Sequence, residues 1–369
     1  MEALRTLMAQ ISGVGDKMAS LADEVVQLII PSLVEQIESP IEGLQTNALD
    51  VLNDVLVYAG TFVSSHAPLE QAVADILLSK LSSGRASLVR RGIQGLSFLS
   101  QVCRIHTYDA ILERGLAGLQ PPFLSEAVAV QLLGVLARET PQRLRPHKTK
   151  YTHGLISALE RANQKEEADE FRESCLVSLQ SLARMAGAEP ECMKGALETA
   201  LSMLQYDPNA MDAMDEDDIG DDLELDDDDM LDTFSDDDDL SWRVRRAASR
   251  LLGTLFEENP QEMVPSASRV TAALVERLKE REETVRLEAL GALKSVLIAA
   301  PEAFRSHTSI VEALCTWRGA AAQVAALDAL EKFVSSFGMA LSQGENALNL
   351  ALCAVEDETK THSKGRCIA

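Results

Sequence analysis

The sequence predicts an all-α fold, an array of repeated helix pairs, and three observations carry that prediction. Apolar residues make up 46% of the 369 residues and aromatics only 4%, so the interior must be assembled mainly from Leu, Ala and Val, the mixture that stacked helices favour. Apolar positions recur at helical spacing, with no sustained alternation of period two. The helical pattern itself recurs about every 41 residues.

The period is marked by an apolar residue followed by Arg at the opening of a helical stretch: Val89-Arg90, Phe171-Arg172, Val244-Arg245 and Val285-Arg286. The last two pairs are 41 residues apart and the first two are 82 apart, twice that interval. From 171 to 244 is 73, an excess of 32, which is almost the length of an acidic run that lies between them. The run therefore reads as an insertion into a regular array. Pro260 and Pro301 are also 41 apart, and Pro141, in "GVLARETPQ", sits at a similar helix end. Proline falls where a helix has stopped, because the residue before it is pushed out of the helical region.

The elements follow in order. Helices are expected around 44–58, 86–102, 124–138, 168–185, 241–257, 282–299 and 321–337, each preceded by a partner helix, for about seven units. In "SWRVRRAASRLLGTLF", Val244, Ala247, Ala248, Leu251, Leu252 and Leu255 form one apolar stripe, while Arg243, Arg246 and Arg250 fall on another side. Val285, Ala289, Leu293 and Val296 or Leu297 repeat that stripe. A two-helix unit of about 41 residues matches the HEAT and armadillo class, in which one pair cannot bury its apolar face alone and neighbours must stack into a solenoid. Four repeats are expected over 1–206, an acidic disordered loop over 207–239, three more repeats over 240–340 and a tail of different character over 341–369.

Charge is distributed unevenly. Residues 207–239 carry 18 Asp and Glu and no Lys or Arg, so the net charge of −24 leaves only −6 for the other 336 residues. Clustered Lys and Arg are what phosphate recognition requires, so no nucleic-acid partner is expected. The acidic run, with Asp226, Asp227, Asp228 and Asp229 and then Asp236, Asp237, Asp238 and Asp239, cannot offset chain entropy by burial and is expected to be disordered, a candidate interaction segment. Asp215, Asp217 and Gly220 fit three positions of a calcium loop, but Ile219 and Asp226 fail two others, which leaves weak, non-specific cation attraction. Ser241 is expected to cap the helix that follows.

No catalytic, cofactor or metal constellation emerges. No Walker A, GxSxG or Gly-rich dinucleotide turn is present, and the closest histidines, His147 and His153, stand at a turn without Cys or carboxylate companions. "QRLRPHKTK", 142–150, is a basic stretch read as a solvated turn between repeats. Six widely spaced cysteines, with no CxxC, read as reduced thiols. Without a secretory pattern or an apolar run approaching 18 residues, the chain is expected to be a soluble protein of cytoplasm and nucleus, with no membrane partner.

"YDPNAMDAMDEDD" (206–218), "SDDDDLSWRVRRAASRLL" (235–252) and "LKEREETVRLEAL" (278–290) resemble the cullin-associated, neddylation-dissociated proteins, long all-HEAT solenoids. The marker helix there is the one that opens with Ser241, Trp242, Val244, Arg245 and Arg246. The resemblance covers about residues 20–300 and implies the N-terminal portion of a longer member. It further implies a non-catalytic scaffold that binds an unmodified cullin-RING ubiquitin ligase and regulates its assembly and substrate-receptor exchange. On that basis the chain supplies the RING-end half of the clamp, and exchange needs a separate C-terminal family polypeptide. Two other readings stand beside it: an importin-β-like nuclear transport receptor, also a HEAT array with an acidic loop, and an acidic histone chaperone.

Overall fold

The computed structural model describes residues 16–120, 125–162, 168–185, 189–207 and 240–304, together with 310, 314, 324–329 and 331–332. The acidic run from 208 on, the calcium-loop residues, most of the helix expected at 321–337 and the tail lie outside the described residues. Every regular element among the described residues is helical, as the composition and periodicity require. The described residues fall into two compact units, 1–162 and 163–369.

In the first unit, helices α1 (Asp16–Glu38), α2 (Glu42–Ser65), α3 (Ala67–Lys80), α4 (Ala86–Val102), α5 (Ile105–Gly118), α6 (Glu126–Glu139) and α7 (Lys148–Ala162) alternate between two layers. Helices α2, α4 and α6 pack side by side in one layer; α1, α3 and α5 line the other, and each is the partner of the helix that follows it. In the second unit α8 (Asp169–Ala183), α10 (Ser241–Glu258) and α12 (Glu283–Ala299) form one layer, backed by α9 (Pro190–Leu204) and α11 (Ala267–Arg277). The apolar-Arg pairs all lie in the first turn of a helix of the first-named layer: α4, α8, α10 and α12. The unit that the period places between the 89 and 171 pairs is α6, which carries Val130-Gln131 at the corresponding position.

Each helix buries one stripe between its neighbours. Val244, Ala247, Ala248, Leu251, Leu252 and Leu255 of α10 are all buried, as are Val285, Ala289, Leu293, Val296 and Leu297 of α12. The proline corners recur in detail. Thr140, Asn259 and Ala300 leave helical geometry, and each donates its backbone N–H to the carbonyl four residues back, at Leu136, Leu255 and Val296. Pro141, Pro260 and Pro301 then open a short helical turn, where a missing N–H costs nothing.

Candidate functional site

The marker helix α10 begins at Ser241, but Leu240, not Ser241, holds the cap position. Ser241 is the first helical residue, fully buried, and its hydroxyl accepts from Arg245 Nη1 at 2.8 Å. The expected cap is corrected for that reason: the hydroxyl is engaged with a guanidinium one turn on.

Arg245 is 6% exposed, which for a guanidinium demands a full set of acceptors. It has them. Nε and Nη2 reach the two carboxylate oxygens of Glu280 at 3.1 and 3.3 Å, and Nη1 donates to the Tyr206 carbonyl at 3.1 Å as well as to Ser241. Glu280 also receives Arg277 at 3.0 Å. Tyr206 in turn presents its hydroxyl, at 3.0 Å, and its ring face, at 4.6 Å, to Arg172, a guanidinium only 2% exposed that also bonds Asp169 at 2.6 Å. Three consecutive repeats are thereby tied at one point. That point is the neck from which the chain departs after α9 and to which it returns at α10.

The same device occurs through the first unit. Helix C-termini leave carbonyls without intrahelical partners, and charged donors answer them best. Arg104 donates to the Ser65 carbonyl at the end of α2, Arg143 to the Cys103 carbonyl at the end of α4 (2.8 Å), and Arg161 to the Leu119 carbonyl at the end of α5 (2.6 Å). The sequence separations are 39, 40 and 42, and the Arg245–Tyr206 pair repeats 39, so each clamp reaches back one repeat. Arg143 also lies over the Tyr108 ring at 4.3 Å. Buried Glu70 of α3 accepts the Arg104 backbone N–H and the Thr107 hydroxyl, supplying a carboxylate at the N-terminus of α5.

These contacts correct the reading of 142–150 as a solvated turn. Arg143 is drawn inward and Lys148 is buried, leaving Arg145 and Lys150 as the exposed cations of that stretch. His147 lies in the turn, whereas His153 is an exposed position inside α7. No cluster of His, Cys, Asp and Glu among the described residues could hold a metal ion. Cys103, Cys175 and Cys192 are buried, and burial pushes the Cys103 thiol up to about 11 against the pull of Arg143. No helix among the described residues is long and apolar enough to cross a membrane.

On the outer side of α10, Trp242 is half-buried with the guanidiniums of Arg246 and Arg243 at 4.9 and 5.5 Å from its ring. Arg246 bridges to Glu173 of α8 at 2.9 Å, and Arg250 pairs with Glu288 of α12. Beside them a groove of about 440 Å³ crosses α8, α10 and α12. Of the sequence-derived residues, Ser241 and Arg245 thus belong to the neck, Val244 to the core, and Trp242 and Arg246 to the rim of the α10 surface. The eight named aspartates lie outside the described residues. Sequence reasoning missed Tyr206 and Glu280 as partners of Arg245, and Arg172 as the partner of the Tyr206 side chain; the signal available was an Arg recurring beside an apolar residue at repeat spacing.

Antiparallel helix pairs stacked in two layers, joined by recurring proline corners and clamped at repeat spacing by arginines, define a HEAT-type α-solenoid protein. A solved structure of importin β shares this fold, with a TM-score of 0.59 over 91% of this chain and 39% of that one, at 13% identity. No protein-family profile matches the chain. Among curated proteins, Cullin-associated NEDD8-dissociated protein 1 of Drosophila melanogaster is 31% identical over 300 residues, covering 80% of this chain and 23% of that protein. Cullin-associated NEDD8-dissociated protein 2 of Mus musculus is 29% identical over 273 residues, covering 68% and 20%. The chain belongs to the cullin-associated NEDD8-dissociated family, and it spans between a fifth and a quarter of the length of these relatives.

Proposed function

We propose that this chain is a non-catalytic scaffold that binds the unmodified form of a cullin-RING ubiquitin ligase and regulates its assembly. The observation that carries the reading is the alignment of 80% of the chain with a relative named for cullin association and NEDD8 dissociation. The described architecture suits such a role, since stacked repeats offer broad helix faces for a large protein partner. The chain is taken as supplying the RING-end half of a clamp.

The test is comparative capture. The purified full chain is offered immobilised cullin-RING complex in its unmodified and NEDD8-modified forms. Binding to the unmodified complex, weakened at least tenfold by modification, is the expected result. Equal binding to both forms, or binding to neither, would overturn the reading.

A further inference from the structure

We draw no further inference here: the strongest candidate, the exposed apolar surface patch of Val57 and Tyr58 on α2, carries nothing because nothing in the structure shows what covers it.

Discussion

Arg245 shows how a residue of ordinary surface type becomes structural when its acceptors are arranged in advance. Its fork spans a carboxylate beyond α11, a carbonyl beyond α9 and a hydroxyl one turn back on its own helix. Arg245→Met should lower unfolding free energy by about 3 kcal/mol, because Glu280 and the Tyr206 carbonyl lose a buried charged donor. Arg245→Lys should recover only part of the loss, since an ammonium cannot bridge both carboxylate oxygens in the plane of the fork. Urea titration of the two variants checks both statements. Cys103 gives a pH-dependent counterpart. Its thiol, ordinarily ionising near 9, is pushed up to about 11 in the fold by burial, so the unfolded chain loses that proton first. The stabilisation is complete below pH 9 and disappears as pH rises from 9 to 11. Tyr108 is shifted upward by burial too, so Cys103→Ala should reduce the alkaline fall in stability between pH 9 and 11 without removing it. Thermal unfolding of parent and variant across that window decides the matter.

At the scale of the element, helix identity was readable wherever an apolar stripe ran uninterrupted. The expected bounds 86–102 coincide with α4 as observed, and 241–257 and 282–299 differ from α10 and α12 by a residue at an end. Helix α2 begins and ends beyond the 44–58 stripe, at 42 and 65, and its backbone departs from helical geometry at Ala59. A stripe marks the buried part of a helix and says nothing of the turns that continue past it. Side-by-side packing depends on features that a stripe does not record. Gly253 allows α10 to approach the backbone of α12, so Gly253→Ala should lower stability by about 1–3 kcal/mol despite its better helix propensity. Chemical denaturation resolves the sign, and a stabilised variant would show that the two helices can separate without cost.

For the molecule as a whole, the insertion matters less to the fold than its charge suggests. Arg245 holds the Tyr206 carbonyl at 3.1 Å, so the two ends of the intervening chain are fastened by contacts outside it. Deleting 211–235 leaves nine residues to join Tyr206 to Ser241, and the melting temperature should move by less than about 5 °C. A larger drop, measured by scanning calorimetry, would mean that the acidic run contributes packing of its own.

The sequence by itself determined the helical class, the repeat of about 41 residues and the point at which the array is interrupted. Those are consequences of local periodicity, since residues three and four apart share a helix face and each unit must bury the same positions. The family markers were legible as well, but their roles were not. Tyr206 and Arg245 meet across 39 residues, Gln180 and Thr254 across 74, and the groove exists only where three helices lie side by side. Polar partners are chosen by distance in space and by the cost of leaving a buried donor unanswered. Neither is written in spacing along the chain, so only the tertiary structure could decide which arginines are clamps and which remain on the surface.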